Sequence, residues 1–205
     1  MAKSAYVLAL DHVQGALATL LGPLGFIRRG RTFNRTVGDG LVHVVNIQFG
    51  PDPGSHHRRF TVNLGVFVPV VHKTEYPELK AAFIQEHWCH IRSRLGAVAG
   101  LGDTWWDLDQ RVAQTVAQVQ KLMDRFGVPW LDRYEIYEDV LEQLSDHGVL
   151  GDATEGRSAL IGALICVDTD RFDEASEWFK RARECAQPDS GFAGYVERIR
   201  AKCGV

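Results

Sequence analysis

An apolar stripe near the N-terminus is the first clear pattern in the chain. Its residues recur at intervals of four and three positions: Tyr6, Leu10, Val13, Leu17 and Leu20. This spacing places them on one face of an amphipathic helix. Gly22-Pro23 follows, and we expect the helix to end there because proline cannot continue its hydrogen-bond ladder.

Three strand-like segments come next, at 31–37, 41–49 and 59–68. Gly38-Asp39-Gly40 separates the first two and favours a tight hairpin, because glycine tolerates a positive φ. A loop rich in glycine and proline at 50–55 separates the second segment from the third. Connections this short predict an antiparallel meander.

After the third strand, the sequence predicts a short helix and then a second hairpin. We expect a short helix over residues 75–88. Its apolar side would consist of Leu79, Phe83 and Ile84. Residues 90–95 alternate between apolar and polar, as in a half-buried strand. A small-residue connection at 96–102 leads to Trp105-Trp106, and we interpret the two flanking segments as a second hairpin.

After Asp107 the apolar period becomes helical and stays so. We predict helices over about 112–126, 132–147, 155–167, 171–186 and 190–202. Gly127 and Pro129 mark the end of the first, and Gly148 the end of the second. The predicted fold class is therefore α+β: an antiparallel sheet with an N-terminal packing helix, followed by a C-terminal helical segment.

We divide the chain into an α+β sheet domain at 1–108 and a helical segment at 109–205. The helical segment either packs on the sheet domain or forms a small helical subdomain. Composition agrees with a soluble globular protein, since 45% of the 205 residues are hydrophobic and 24% are charged. The net charge of −3 argues against a nucleic-acid-binding surface over the whole chain.

Targeting signals are not evident in the sequence. We find no run of about 18 apolar residues that would form a membrane helix. Asp11-His12 interrupts the N-terminal apolar stretch too early for the core of a signal peptide. We therefore expect a cytoplasmic protein with no membrane partner.

Cysteine and histidine spacing gives no metal or cofactor motif. The four cysteines are Cys89, Cys166, Cys185 and Cys203. They lack a C-x-x-C pair, and we expect them to be reduced thiols. His87, Cys89 and His90 lie close together, but a tetrahedral zinc site needs a second pair of ligands. A nucleophilic Cys89 would need both a base and an orienting group, which sequence neighbours rarely supply. We predict no metal, no cofactor and no catalytic residue.

An amide-bearing face is predicted for the middle of the sheet. Strand alternation puts Asn46, Gln48 and Asn63 opposite the apolar side chains that face the core. Amides offer both donors and acceptors, so this face can hydrogen-bond a polar ligand or a peptide. The alternative is a merely solvated outer face, which is common in antiparallel sheets.

Arginines supply the second part of the candidate site. Arg28 belongs to a local basic group, and Arg92 and Arg94 point to the same side as His90 by alternation. Guanidinium groups suit carboxylates and phosphates, so an anion-binding concavity results if this side meets the amide face. The alternative is ion pairing with the chain's own carboxylates, such as Asp103.

Two adjacent tryptophans complete the candidate set. Because neighbouring strand residues face opposite ways, one of Trp105 and Trp106 is expected in the core and the other is available for stacking or an interface. The alternative is that the helical tail partly buries both. The predicted ligand-binding residues are Arg28, Asn46, Gln48, Asn63, His90, Arg92, Arg94, Asp103, Trp105 and Trp106.

Several segments, taken in order, form a familiar combination. They are Gly25-Phe26 with Arg28, Gly30, Thr32 and Phe33, then 45–48, 60–66, 89–96 and 103–106. Over about residues 5–125 this combination resembles the bacterial domain-of-unknown-function family 4304. The resemblance implies no settled activity and no catalytic residues. Analogy with small bacterial families of this kind suggests immunity or toxin-neighbourhood roles.

The C-terminal tail resembles a single tetratricopeptide-type helix pair. Small residues such as Ala159 and Gly162 allow close helix approach, and Phe172 and Phe179 would fill the space between the helices. A solenoid of such pairs needs about three repeats to be stable, so one pair is expected to pack against the preceding helices. It would still offer a groove for another protein.

The sequence is compatible with three functions. The first is a non-enzymatic binding protein of an immunity or adaptor type, which acts on another protein. The second is an enzyme or binder of a small anionic ligand, with Arg92, Arg94, His90 and Asp103 in one pocket. The third is nucleic-acid binding through arginines and stacked tryptophans. It is the least favoured because the chain is net acidic.

Overall fold

An antiparallel sheet forms the N-terminal half of the molecule. The computed structural model describes residues 5–51, 58–78, 82–108, 112–187 and 191–205. Within these ranges the strands are β1 (Ile27–Arg29), β2 (Thr32–Thr36), β3 (Val42–Pro51), β4 (Arg58–Phe67), β5 (Ile91–Arg94) and β6 (Trp106–Asp107). The first five pair in chain order, which confirms the predicted meander, and β6 pairs with β4.

One face of the sheet is apolar because alternate residues of β3 and β4 point the same way. The buried side chains on this face include Val45, Ile47, Phe60, Val62 and Leu64. Helix α1 (Ala5–Leu21) joins the same core through Val13, Leu17 and Leu21. The predicted N-terminal packing helix is therefore confirmed.

Helix α1 also lies in an unusually apolar stretch. Val7–Leu24 is long and apolar enough to cross a membrane by length and composition alone, although Asp11 interrupts it. The core helices of soluble proteins pass the same test. In this fold Val13 is buried in the core, whereas Val7 and Leu8 are exposed. The stretch thus has a core-facing side, and its composition alone does not assign it to a membrane.

Helices make up the rest of the fold. Two short ones interrupt the sheet: α2 (Pro69–Glu75) and α3 (Leu95–Val98). The later helices are α4 (Val112–Leu122), α5 (Val128–Leu131), α6 (Tyr137–His147), α7 (Glu155–Asp168), α8 (Phe172–Glu184) and α9 (Phe192–Cys203). One continuous cluster of buried side chains extends from Ala9 to Ile199, so the helical segment shares its core with the sheet. The α+β class is confirmed.

The helix that was expected to end at Gly127 continues beyond it. A π-helical turn, Met123–Gly127, joins α4 directly to α5. Pro129 falls in the first turn of α5, where a missing N–H costs no helical hydrogen bond. The predicted stop is therefore wrong, because proline is compatible with the start of a new helical segment.

The helix predicted over 75–88 is wrong as well. The chain is helical earlier, in α2, where Pro69 occupies the favoured first turn. Phe83 and Ile84 lie in an irregular segment before a single 3-10 turn, Glu86–Trp88, and Leu79 lies outside the described residues. This segment crosses the sheet instead of forming a helix.

The hairpin predicted between β5 and the tryptophan pair is also wrong. Helix α3 turns the chain away after β5, and β6 returns to pair with β4, with Phe60 opposite Trp106. The centroids of these two rings lie 5.7 Å apart. Pairing with β4 is favoured because it buries Trp106 in the core beside Phe60.

A buried histidine links the sheet to the helical half. The Arg35 guanidinium donates to His43 Nδ1 over 2.9 Å, so the ring proton is on Nε2, which donates to the Tyr134 carbonyl oxygen over 2.8 Å. Arg35 also pairs with Asp132. Burial lowers the pKa of His43 from 6.5 to about 4, with the nearby Arg35 acting in the same direction.

Acidification is therefore expected to weaken the fold through His43. Its folded pKa of about 4 lies below its ordinary value of 6.5, so the neutral ring contributes stability that is present above pH 6.5 and is lost as pH falls toward 4. This difference corresponds to roughly 3 kcal/mol. We predict that His43→Gln removes about that much of the pH-dependent change in the free energy of unfolding, measured by urea denaturation at neutral and acidic pH.

The matched control for this measurement is His12→Gln, since His12 is exposed on α1. The control is expected to keep the wild-type dependence of stability on pH. If His43→Gln also kept it unchanged, the role given to the buried ring would be wrong.

Candidate functional site

The strand register places five polar side chains in one row across the sheet. Arg29 lies opposite Thr32, Thr32 opposite Asn46, Asn46 opposite Asn63, and Asn63 opposite Arg94. Directly opposed residues share a face, so all five side chains point away from the apolar core. We call these residues the polar row. Four strand intervals separate its ends, a span of roughly 19 Å.

Part of this face is covered by the irregular segment 82–90. The Asn34 side chain exchanges two hydrogen bonds with the backbone of Ile84, at 2.7 and 3.0 Å. Ile84 and Cys89 then pack with Val44 and Phe67 in a small second core. The segment approaches the sheet closely because β4 has a glycine there: a Cβ on Gly65 would lie 2.6 Å from Cys89 Sγ. The polar row lies beside this segment. Its Arg29 is exposed and its Asn46 and Arg94 are half-buried. Thr32 and Asn63 are buried beneath them.

At the β5 end of the row is an open cleft of about 540 Å³. Its floor carries Asn63 and Gln48, and the walls come from different parts of the chain. The polar wall residues are Glu86, His90, Arg92, Ser93, Arg94, Asp103 and Asp152. The structure thus brings together, in one cleft, Gln48, Asn63, His90, Arg92, Arg94 and Asp103 from the predicted set.

At the β1 end lies a second recess of about 430 Å³. It contains Thr32 and Asn46 of the polar row, and it is lined by Arg29 at the end of β1 and by Arg31 in the β1–β2 turn. Gln48 lines both recesses, and the adjacent residues Gln85 and Glu86 wall one recess each. The two recesses therefore adjoin at Gln48 over the polar row, and together we call them the cross-strand groove.

The amides on the groove floor are partly occupied by bonds to each other. Asn63 Nδ2 donates to Gln48 Oε1 over 3.0 Å, and Asn46 Nδ2 donates to Thr32 Oγ1 over 2.9 Å. Each bond uses one of an amide's several hydrogen-bonding positions. Gln48 is exposed and Asn46 is half-buried, so donors and acceptors are left for a ligand.

Both arginines at the β5 end of the groove are paired with carboxylates. Arg92 pairs with Glu86, with Nε 2.7 Å from Oε1, and Arg94 pairs with Asp103. A further carboxylate, that of Asp152, accepts a hydrogen bond from the Ser93 hydroxyl over 3.0 Å, and within the described ranges no cation pairs with it. The predicted alternative of internal ion pairing therefore applies to Arg94 and Asp103.

The β1 end carries uncompensated positive charge. No described carboxylate forms an ion pair with Arg29 or Arg31. The Arg29 guanidinium instead lies 4.8 Å from the centroid of the Phe83 ring, a cation–π arrangement that leaves its N–H donors available. The two ends of the groove thus differ in electrostatic character.

His90 lines the β5 cleft as a neutral ring. The backbone N–H of Val68 donates to His90 Nδ1 over 3.0 Å, so the ring proton lies on Nε2. Burial lowers the pKa of His90 to about 3, and the nearby Arg157 lowers it further. The ring therefore stays neutral at physiological pH, and it lies between the β5 cleft and a neighbouring recess lined by Glu75 and Arg157.

The two tryptophans lie on opposite faces, as strand alternation predicts. Trp106 is buried in the core and cannot meet a ligand, so its place in the candidate set is wrong. Trp105 is half-buried on the groove side, with the guanidinium groups of Arg59 and Arg94 at 4.9 and 5.5 Å from its ring centroid. It fixes the position of Arg94 at the rim of the groove.

Arg28 is the other predicted residue that does not reach the groove. It pairs with Phe33, whose side chain is in the core, so Arg28 is exposed on the opposite side of the sheet. Its neighbour Arg29 takes the position that was expected for it. This one-residue error arises because β1 was not predicted, and without that strand the direction of its side chains is unknown.

Comparison with known sequences assigns residues 17–133 to a domain of unknown function, DUF4304. The chain belongs to this family. The DUF4304 region contains all six strands described here and α4, whereas α6–α9 and Asp152 lie outside it. Neither the curated proteins nor the solved structures give a match to the chain.

Several groove residues of this DUF4304 protein were missed by sequence reasoning. Glu86 enters through the irregular segment that covers the sheet, and Asp152 enters from the loop before α7. The backbone N–H of Asp152 donates to the Arg92 carbonyl oxygen over 2.7 Å, which fixes this loop against the edge of β5. Such long-range contacts leave no local signal in the sequence.

The cysteines and histidines show no arrangement for metal or thiolate chemistry in the described ranges. No group of three or more His, Cys, Asp or Glu side chains is placed to share a metal ion. Cys89 is buried, which raises the pKa of its thiol well above 9.0. The described cysteines are free thiols.

Segment 82–90 packs closely on Gly65, and mutation of this glycine tests the contact. Gly65→Ala would place a methyl group 2.6 Å from Cys89 Sγ, and we expect a loss of about 1–3 kcal/mol from overpacking. Chemical denaturation measures this loss. Adding Cys89→Ala to the same chain should recover only part of it, because the sulfur is removed while the Cys89 Cβ, 2.7 Å from the added methyl, remains.

Gly15→Ala is the control for this pair, since nothing lies within 4 Å of a Cβ there and the residue is in helix α1. The control should be neutral or slightly stabilising. An unchanged stability in Gly65→Ala would contradict the close packing of segment 82–90 on the sheet.

Proposed function

We propose that this DUF4304 protein is a non-enzymatic binding protein whose cross-strand groove receives an extended segment of a partner protein. The observation that carries the proposal is the polar row, with a guanidinium at each end and amides between them. Its span of roughly 19 Å matches about six residues of extended chain.

The amide floor supports a peptide as the occupant. A peptide backbone presents one N–H and one C=O per residue, and an amide side chain can pair with both. Gln48, which is exposed, and Asn46, which is half-buried, offer such groups along the middle of the groove. The buried Asn63 holds Gln48 in place through its own hydrogen bond. A ligand that fills only one recess would leave the other part of this row unused.

A small anionic ligand in the β5 cleft is the competing proposal, and the ion pairs of that cleft count against it. Such a ligand would bind at Arg92 and Arg94, but these already pair with Glu86 and Asp103. An added anion would have to compete with both carboxylates for the same guanidinium groups. A partner segment gains instead from hydrogen bonds spread over the whole groove.

The state of the titratable groups supports binding over catalysis. His90 has its acceptor nitrogen occupied by the Val68 N–H and a pKa of about 3, so it is a fixed donor and a poor proton carrier at neutral pH. Burial keeps Cys89 as a thiol. We propose an adaptor or immunity-type role in the cytoplasm as the setting for this binding.

A displayed library of random decapeptides, selected on the purified chain, tests the proposal. The enriched sequences are then made as synthetic peptides, and their affinities are measured by fluorescence anisotropy. We expect micromolar binding. Gln48→Trp should weaken it by about tenfold or more, because Gln48 is exposed and lies where the two recesses meet.

Arg28→Trp is the matched control, since Arg28 is exposed on the opposite face of the sheet. It should leave peptide affinity unchanged, and both variants should keep the wild-type melting temperature. The proposal fails if no peptide is enriched, or if Gln48→Trp and Arg28→Trp behave alike. Thermal stabilisation by succinate or inorganic phosphate, without peptide binding, would favour the small-anion alternative instead.

A further inference from the structure

We infer that the cross-strand groove selects the charge pattern of its partner: acidic residues at the β1 end, and a basic residue at the β5 end. This inference rests on the proposed function, because it names the class of peptide that the same groove takes. It follows from an asymmetry between the two ends, which carry similar hydrogen-bonding groups but opposite unpaired charges.

The β1 end selects for negative charge. Arg29 and Arg31 line this recess together with uncharged side chains only, those of Thr32, Asn46 and Gln48 among them. Both arginines are exposed, and no described carboxylate pairs with either. A guanidinium fork binds a carboxylate through two parallel hydrogen bonds, so one or two acidic side chains of the partner fit this recess.

The β5 end selects against a second acidic group. Three carboxylates line the cleft, those of Glu86, Asp103 and Asp152, against the two guanidinium groups of Arg92 and Arg94. His90 is neutral there and adds no positive charge. This excess of negative charge would repel an incoming carboxylate, whereas an incoming ammonium group would neutralise it.

Two hydrogen bonds fix the position of Asp152 beside the β5 cleft. Its backbone N–H donates to the Arg92 carbonyl oxygen over 2.7 Å, and its carboxylate accepts from the Ser93 hydroxyl over 3.0 Å. Gly151 permits this approach, since it has a φ of +58° and a Cβ there would lie 2.3 Å from the Arg92 oxygen. The carboxylate itself remains exposed beside the cleft and has no described cationic partner.

The probes for this inference are synthetic hexapeptides that share a glycine and serine spacer. Two of them carry two glutamates at one terminus and a lysine at the other, in the two possible orders. A third has glutamates only, and a fourth has lysines only. We expect one of the two mixed peptides to bind best and the lysine-only peptide to bind worst, with affinities measured by fluorescence anisotropy.

Charge variants assign each end. The double variant Arg29→Gln with Arg31→Gln should weaken the better mixed peptide about tenfold and bring its affinity close to that of the lysine-only peptide. Asp152→Asn should weaken the mixed peptide by a smaller factor and leave the glutamate-only peptide unaffected or slightly improved. Arg28→Gln, on the opposite face, is the matched control and should change none of these affinities.

Peptide binding by the groove and its charge selection can be tested apart. If the library-selected peptides bind but the charge variants leave every affinity unchanged, the charge selection is wrong while the groove remains a peptide site. If the lysine-only peptide binds best, the assigned polarity is overturned. If no peptide binds wild-type protein, both the proposed function and this inference are wrong.

Discussion

The alignment of β3 with β4 is the constraint on which the groove depends. It places Asn46 opposite Asn63, and the neighbouring pairs Val45–Leu64 and Ile47–Val62 fall on the other face. A shift of one residue would turn the apolar set to solvent. Each buried aliphatic side chain contributes about 1.5–3 kcal/mol, so the core sets the register and the polar row follows from it.

The second requirement is that both sides of the polar row are walled. Segment 82–90 covers the adjoining part of the sheet because Gly65 and Asn34 let it approach. At the other edge, Gly151 and Asp152 dock on β5, which also protects an otherwise unpaired strand edge. The helical half thus supplies part of the groove as well as part of the core.

Alternation along the strands was enough to predict much of this site. The common face of Asn46, Gln48 and Asn63 depends only on the two-residue period of a strand, and so does that of Arg92 and Arg94. The antiparallel meander, which the short connections predict, then brings the two groups together. The α+β class followed in the same way, from changes in the apolar period.

What the sequence did not predict depends on contacts between distant segments. The three-residue strand β1 is too short to show a period, so Arg29 was mistaken for its neighbour Arg28. The sequence predicted β5 as the partner of β6, but β6 pairs with β4, which places Trp106 opposite Phe60. Asp152 reaches the groove only because a loop beyond the sheet docks on β5.

The claim that the polar row acts as one binding surface is tested most directly by NMR. The side-chain amide resonances of Asn46 and Asn63, and the Nε–H resonances of Arg29 and Arg94, are followed while the better mixed-charge hexapeptide is added. If the row is one binding surface, all four resonances move together and fit a single dissociation constant. Shifts confined to one end of the row, or saturation of the two ends at different peptide concentrations, would contradict it.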